Sequence, residues 1–267
     1  MKILLFAIMT LAPLSIMAAG PQLENLSTSD VEKVGNEFAV NFAHTTVSAP
    51  ETDGLWGVEV GIMGGTTRSP NLKKVINSSG GEGEDFKYIY HAGIIARAHF
   101  PFDIFLEGSM LPKRDISDVE VSSGSIGGGW NAGAFFGLPL DLALGASTSR
   151  GKVSFDQEPT STIPSDATIS VDTKTTLLWI GTSKTFLFFT PYVKVGYAHT
   201  QAEIKVDTEV GTGTIFADTN KQKEDVDKNG GYLALGLNVQ VTVVKLGLEF
   251  NQMNGVKTAT GKLSLDF

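Results

Sequence analysis

The chain has 267 residues, no cysteine, 30 glycines and a formal net charge of -8. The lack of cysteine excludes disulfides, thiolate metal sites, a cysteine nucleophile and a lipidated N-terminal cysteine. Acidic residues cluster in the polar segments 82–85 and 224–227, and no basic stripe is present, so we expect no nucleic-acid partner.

The first residues have the three parts of a secretory signal peptide. Lys2 supplies the positive charge, residues 3–14 form an apolar run, and Ala18 and Ala19 offer a cleavage site. The alternative is a membrane anchor, but the apolar run is shorter than the ~20 residues that a spanning helix needs. We therefore predict a signal peptide over residues 1–19 and export through the Sec pathway.

Residues 20–52 are predicted to form a separate periplasmic segment. Ser29 can cap a short helix, and Pro50 closes the segment. Apolar residues recur between them at helical spacing, at Val31, Val34, Phe38 and Phe42. We expect this helix to rest on the periplasmic mouth of the following domain, with a partial plug inside that domain as the alternative.

From residue 53 to residue 267 the apolar period changes from 3.6 to 2, which predicts β-strands. Ten segments show this alternation: 56–63, 88–99, 104–107, 130–136, 142–147, 172–185, 193–198, 233–240, 244–251 and 262–267. A soluble β-sandwich and a membrane barrel would both give such alternation. Three further features separate the two architectures.

The first feature is that connections alternate in length. Those after the even-numbered strands are short, at 100–103, 137–140, 185–191 and 241–242. Those after the first, third, fifth and seventh strands are longer and polar, at 68–85, 111–118, 156–167 and 207–230. Short turns on one side and long loops on the other are typical of outer-membrane barrels, and predict that both termini are periplasmic.

The second feature is that aromatic residues gather near strand ends. One group lies by the short turns: Phe100, Phe102, Phe135, Phe136, Phe186, Phe188, Phe189 and Tyr192. A second group, Tyr88, Tyr90 and Phe250, lies nearer the long loops. Rings at two levels fit the interfacial girdles of a membrane barrel.

The third feature is the last segment, Lys262-Leu263-Ser264-Leu265-Asp266-Phe267. It resembles the C-terminal signature of Gram-negative outer-membrane barrels, an amphipathic strand ending in Phe. The resemblance covers the last strand alone and implies that Phe267 is an assembly signal read by the barrel-assembly machinery. Outer-membrane lipid and lipopolysaccharide would be the other partners.

Together these features predict an all-β fold, a transmembrane antiparallel up-and-down barrel of about ten strands over residues 53–267, in the cell outer membrane. Its register places charged or titratable side chains inside, at Glu59, His91, Arg97, His99, Glu107, Lys194, Lys245 and Glu249. Positive and negative charges nearly balance. They would either pair within a filled interior or line a narrow pore.

Catalysis finds weak support in the sequence. Among the histidines, His199 has Glu203 and Asp207 nearby and comes closest to the His–acid pairs of barrel hydrolases. We assign no catalytic residue, no metal ligand and no cofactor. The sequence predicts a non-enzymatic barrel, structural or a narrow passive channel. The alternative is a barrel hydrolase, or a surface-binding protein acting through its long extracellular loops.

Overall fold

The computed structural model describes residues 28–51, 56–78, 83–84, 86–116, 119–133, 139–157, 167–208 and 221–267. The predicted signal peptide lies outside the described residues, so its boundary stays a prediction. Two α-helices, one 3₁₀ turn (Pro101–Asp103) and ten strands are present in the described chain: α1 (Thr28–Asn41), β1 (Gly57–Arg68), α2 (Pro70–Ser78), β2 (Tyr88–Phe100), β3 (Ile104–Ile116), β4 (Val119–Asn131), β5 (Asp141–Gln157), β6 (Ala167–Ser183), β7 (Phe189–Thr208), β8 (Lys221–Val241), β9 (Val244–Met253) and β10 (Val256–Asp266).

The ten strands close into one antiparallel up-and-down barrel. Each strand pairs with the next along the chain, and β10 pairs with β1, where Glu59 lies opposite Asp266 and Ile62 opposite Leu263. Closure leaves no free sheet edge at this seam, as a strand-built membrane span requires. The predicted fold class and the strand count are therefore confirmed.

The two faces of the strands differ in polarity as predicted. On β9, Leu246 and Leu248 are exposed on the outer face, whereas Lys245 and Glu249 are buried in the interior. Other large apolar side chains are also exposed on the outer face, including Ile62, Leu106, Leu144, Leu178, Val195 and Leu235. An outer face of this composition suits lipid rather than water. Among the described residues, no helix is long and apolar enough to cross a bilayer.

The barrel has two unlike ends. At the end we call the short-turn end, strands are joined through Pro101–Asp103 and through residues 184–188 and 242–243. At the opposite end, the long-loop end, α2 joins β1 to β2, and Asn254-Gly255 joins β9 to β10. Both residues of that tight turn have positive φ, 50° and 85°, which is the geometry of a two-residue hairpin turn.

Several predicted boundaries are wrong. The predicted long loop 111–118 is largely strand, because β3 continues to Ile116 and β4 begins at Val119. Both described ends of the predicted loop 207–230 are strand too, since β7 continues to Thr208 and β8 starts at Lys221. The predicted fourth strand, 130–136, begins too late, because β4 spans Val119–Asn131. The glycine-rich part of β4 offers no alternation of apolar side chains that a sequence pattern could detect.

The largest correction concerns the N-terminal segment. It does not rest on a periplasmic mouth: α1 and the extended residues 42–51 lie inside the barrel, and nearly all side chains from Val31 to Pro50 are buried. The segment runs from Asn36, which contacts Asn254 at the long-loop end, to Pro50, which contacts Ser183 at the short-turn end. The alternative prediction of a plug is the one observed. The first described residues consequently lie toward the long-loop end, and which end faces the periplasm stays a prediction.

The helix lies inside because the long-loop half of the interior is apolar. There, inward residues of the long strands form one buried cluster with α1 and α2: Val153, Phe155, Ile169, Val171, Ile204 and Val226. The α1 stripe of Val31, Val34 and Phe38 packs into this cluster. Burial of such a stripe is the main favourable contribution to docking an amphipathic helix.

Candidate functional site

The candidate site is the barrel interior. All eight residues that the sequence placed there lie on inward-facing positions of β1, β2, β3, β7 and β9. His91 is half-buried, and the other seven are buried: Glu59, Arg97, His99, Glu107, Lys194, Lys245 and Glu249. The structure brings most of them into ion pairs in the short-turn half of the barrel. The sequence list omitted Lys262, although its alternation placed that lysine inward.

Lys262 completes an ion pair across the closing seam. Its Nζ lies 2.6 Å from Oε1 of Glu59, and the Ser264 hydroxyl donates to the same oxygen at 2.6 Å. Nearby, Arg97 lies 3.9 Å from Glu107 and places its guanidinium 3.9 Å from the Phe105 ring centroid. Opposite charges are thus matched where desolvation would otherwise be costly.

Glu249 is the centre of a second network. Its carboxylate accepts hydrogen bonds from Lys194 Nζ at 3.1 Å, from the Tyr192 hydroxyl at 3.1 Å and from the Tyr232 hydroxyl at 3.2 Å. The Asn251 amide adds a fourth at 3.3 Å. The Lys194 ammonium also lies over the Tyr192 ring, 4.6 Å from its centroid. These aromatic donors could not be assigned from the charge pattern.

The N-terminal segment supplies the remaining partners in the middle of the barrel. We call residues 31–51 the plug. His44 Nε2 and Glu107 Oε1 are 2.6 Å apart, and His44 Nδ1 lies 3.3 Å from the Ser109 hydroxyl. The Ser147 hydroxyl donates to the His44 carbonyl at 3.0 Å. A histidine placed in the periplasm by the sequence analysis is therefore a buried partner of the barrel wall.

Toward the short-turn end the plug continues to bind inward residues. Lys194 donates to the Thr46 carbonyl, Lys262 to the Ser48 hydroxyl, and Ser183 to the Pro50 carbonyl. At the end of the plug, Glu51 lies 3.1 Å from Lys245, which is also 3.5 Å from Asp266. Three lysines of the interior, Lys194, Lys245 and Lys262, are thereby shared between a barrel carboxylate and the plug.

The plug fits the wall closely as well as bonding to it. Phe42 lies against Gly151 of β5, where an added Cβ would come within 2.3 Å of the phenyl ring. At Gly247 an added Cβ would lie 2.8 Å from the Val47 carbonyl oxygen. Only glycine leaves room for the plug at these two points.

At the long-loop end, α2 covers α1. The Glu37 carboxylate accepts from the Asn71 amide N–H at 2.9 Å, from the Asn71 side chain at 2.7 Å and from the Leu72 amide N–H at 2.9 Å. It therefore caps the first turn of α2, where a negative charge also suits the helix dipole. Burial raises the pKa of the Glu37 carboxyl above its ordinary value, although these hydrogen bonds act in the opposite direction.

The possible catalytic histidine has different neighbours from those expected. His199 Nδ1 lies 2.8 Å from Asn229 Oδ1 and 3.4 Å from Asp227 Oδ1, on the partly exposed outer face of β7 and β8. The sequence paired it with Glu203 and Asp207 instead. Within the described residues, no group of three or more His, Asp or Glu side chains is arranged to hold a metal ion.

These observations define the class: a closed ten-stranded barrel with an apolar outer face, the fold of Gram-negative outer-membrane β-barrel proteins. No protein-family model matches the chain, and no curated protein matches it.

Three solved structures are similar to this chain over most of its length. The outer membrane protease OmpT of Escherichia coli has a TM-score of 0.48 at 10% identity, covering 83% of this chain and 100% of that one. The translocator domain of the autotransporter NalP of Neisseria meningitidis has a TM-score of 0.40 at 11% identity, covering 88% of this chain and 93% of that one. The attachment invasion locus protein Ail of Yersinia pestis has a TM-score of 0.34 at 14% identity, covering 79% of this chain and 97% of that one. These similarities say nothing about a shared activity.

Proposed function

We propose that this protein is a non-enzymatic, integral outer-membrane barrel that its own N-terminal plug keeps closed. The observation that carries the proposal is the set of bonds between the plug and inward residues of the wall, from His44 on Glu107 to Glu51 on Lys245. They span the interior from its middle to the short-turn end. A passive channel would require the plug to leave, so the closed, structural state is the resting one.

Solute passage is opposed by the chemistry of the interior. In the long-loop half, apolar residues of α1 such as Val34 lie in one buried cluster with wall residues such as Ile204. In the short-turn half, Lys194 and Lys262 are each held by a carboxylate and by a plug oxygen. An ion crossing this half would have to break paired charges in a poorly solvated interior.

The test is conductance of the refolded protein in planar bilayers. The full chain is expected to show no steady open level. Removal of residues 20–51 is expected to open the barrel and give discrete conductance steps. Steady channels from the full chain, with the same conductance as the deletion, would contradict the proposal.

A second variant guards against a deletion that fails to fold. The chain contains no cysteine, and a Cβ at Gly35 of α1 would lie 3.1 Å from the Ala202 Cβ of β7, a few tenths of an ångström short of the separation that a disulfide spans, so the pair Gly35→Cys and Ala202→Cys can link the plug to the wall. Any rare openings of the reduced double variant should disappear on oxidation and return with reductant. Openings that are indifferent to oxidation would show that the current does not pass where the plug lies.

We further propose that the long-loop end faces the outside of the cell and that lipid and lipopolysaccharide surround the barrel. Short turns face the periplasm in such barrels. In intact cells a charged maleimide should label Lys74→Cys, on the exposed side of α2, and should spare Leu187→Cys in a short turn. Both sites should react after the cells are opened. Labelling of Leu187→Cys alone in intact cells would reverse the orientation.

A further inference from the structure

Three positively charged side chains lie together on the outer face of the barrel, toward the long-loop end. Arg150 and Lys152 are on β5, Lys174 is on β6, and all three are exposed. They face outward because their neighbours Gly151 and Thr173 are buried on the inner face. In the register of the two strands, Arg150 lies directly opposite Lys174. We call these three residues the cationic patch.

This arrangement is unfavourable in the protein alone. Side chains directly opposite each other on antiparallel strands have Cβ atoms about 5 Å apart, and like charges there destabilise the sheet. Asp172 lies opposite Lys152 in register, but its Oδ2 is 3.5 Å from Lys205 Nζ, and Lys205 also pairs with Glu203. Within the part of the chain that the structure describes, no residue of the cationic patch has an ion pair of its own. The patch therefore presents positive charge that an external anion can neutralise.

The surface beside the patch has room for such an anion. Arg150 and Lys152 border an open groove of about 470 Å³, whose other side is formed by small residues of β4, including Ser122 and Gly124. A Cβ added at Gly124, which lies opposite Arg150, would meet no atom beyond its own chain neighbours within 4 Å. The Ser122 hydroxyl lines the same groove and can donate a further hydrogen bond to an anion.

Toward the short-turn end, the same strands carry the apolar outer face. Ile126 on β4, Leu144 on β5 and Leu178 on β6 are exposed there. Lys174 is four residues from Leu178, which corresponds to about 13 Å along the strand. The cationic patch therefore lies directly above the apolar face, at the level of the headgroups of any lipid whose acyl chains cover that face.

We propose that the cationic patch binds the phosphate groups of lipopolysaccharide, whose acyl chains lie against the apolar face below it. Arginine and lysine form strong, charge-assisted hydrogen bonds with phosphate oxygens, and an anion between Arg150 and Lys174 replaces their repulsion by attraction to a shared partner. The site rests on the proposed outer-membrane setting with the long-loop end outside, because lipopolysaccharide occupies the outer leaflet. It deepens that proposal by naming where on the barrel the lipid is held.

The test is binding of lipid A, the phosphorylated anchor of lipopolysaccharide, to the full chain refolded in phosphatidylcholine vesicles. Binding is measured by energy transfer from the barrel tryptophans to lipid A that carries a fluorescent acceptor. Arg150→Gln combined with Lys174→Gln is expected to weaken binding by about ten-fold or more. The matched control, Lys74→Gln combined with Lys257→Gln, also removes two exposed positive charges at the long-loop end and should leave binding unchanged. The exchange Arg150→Lys with Lys174→Arg keeps both charges and should retain most of the binding.

A second measurement has opposite signs without and with the lipid. In phosphatidylcholine alone, Arg150→Gln should leave the urea midpoint of unfolding unchanged or raise it, because the variant removes the repulsion from Lys174. With lipid A present, the midpoint of Arg150→Gln should fall below that of the parent, since the parent alone gains the full stabilisation by bound ligand. A lower midpoint in both kinds of vesicle would mean that Arg150 has a structural role, and would overturn the site.

Equal lipid A binding by the parent and by the double variant of the patch would also overturn the proposal. Lipid A without its phosphates, phosphatidylglycerol and inorganic phosphate should each compete poorly with lipid A. Equal competition by phosphatidylglycerol would show a general attraction to anionic membranes, and equal competition by inorganic phosphate would show a site for free phosphate instead. Heat-modifiable gel migration verifies the fold of each variant. These vesicle measurements depend neither on the orientation in cells nor on conductance, so a failed lipid site is distinguishable from a failed orientation or a failed plug.

Discussion

At the scale of single residues, whether a side chain contacts lipid or the interior depends on whether its position along the strand is odd or even. Leu248 and Lys245 lie on one strand, three residues apart, and point to opposite faces. Because side chains alternate along a strand, a slip of one residue would exchange these environments. Substitutions at the two positions should therefore fail for different physical reasons.

Leu248→Arg places a charge on the lipid face near the middle of β9 and should cost about 2–4 kcal/mol of folding free energy in a bilayer. Lys245→Leu instead leaves Glu51 and Asp266 without their shared cation inside the barrel. Urea titration of protein refolded into vesicles measures both effects.

The control is Glu51→Gln. Added to Lys245→Leu it should recover part of the loss, because it removes a carboxylate that the first change left unpaired. Added to Leu248→Arg it should recover nothing. If both substitutions were harmless, the register of β9 or its membrane setting would be wrong.

At the scale of elements, the contact between α1 and α2 rests on one carboxylate. Glu37→Gln replaces one acceptor oxygen by an amide NH₂ that faces an amide N–H of α2. We expect the docking of α2 to weaken by about 1–2 kcal/mol. Trypsin cleavage after Lys73 or Lys74, both on α2, should become faster by roughly the ten-fold that such an energy implies.

The matched control is Glu32→Gln, an exposed carboxyl on the same helix. It should leave the cleavage rate unchanged, because it makes the same change of charge without the capping bonds. Equal acceleration by both variants would mean that charge on α1, and not the cap of α2, controls access to the site.

The strand pattern could be predicted where one rule of polarity holds along a strand, as on β9 and β10. It failed where the rule inverts. On β6, Leu178 and Ile180 face outward in the membrane half, whereas Ile169 and Val171 face inward in the long-loop half. A pattern that assumes outward apolar residues throughout cannot detect this inversion, so it predicts loops at the extended ends of β7 and β8.

The same inversion explains why the sequence pattern favours a helix resting on the periplasmic mouth over a plug inside the barrel. A stripe such as Val31, Val34 and Phe38 shows that a helix face needs an apolar partner, but not which partner. The inward apolar residues at the long-loop end identify that partner once their phase is known. The charged interior residues could be predicted from alternation alone, whereas their bonds to His44, Ser48 and Glu51 depend on where the plug lies.

At the scale of the whole molecule, the barrel depends on its last residue in two separable ways. The Phe267 backbone N–H donates to the Val58 carbonyl, and the Val58 N–H donates to the Phe267 carbonyl, both at 3.0 Å. Phe267 as a whole is 73% exposed, so its side chain packs little against the barrel. The backbone therefore seals the end of the β1–β10 seam, and the predicted role of the ring in assembly can be tested apart from these bonds.

Two variants separate these contributions. Deletion of Phe267 removes both backbone bonds and the ring, so it should impair assembly in cells and also lower the stability of barrels refolded in vitro. Phe267→Ala keeps the backbone bonds and removes the ring, so it should impair assembly in cells while in vitro stability stays close to that of the parent. Cellular assembly is measured by heat-modifiable migration, and stability by urea titration. Normal assembly of Phe267→Ala in cells would contradict the role of the ring as an assembly signal. Equal losses of in vitro stability in the two variants would mean that the ring instead stabilises the folded barrel.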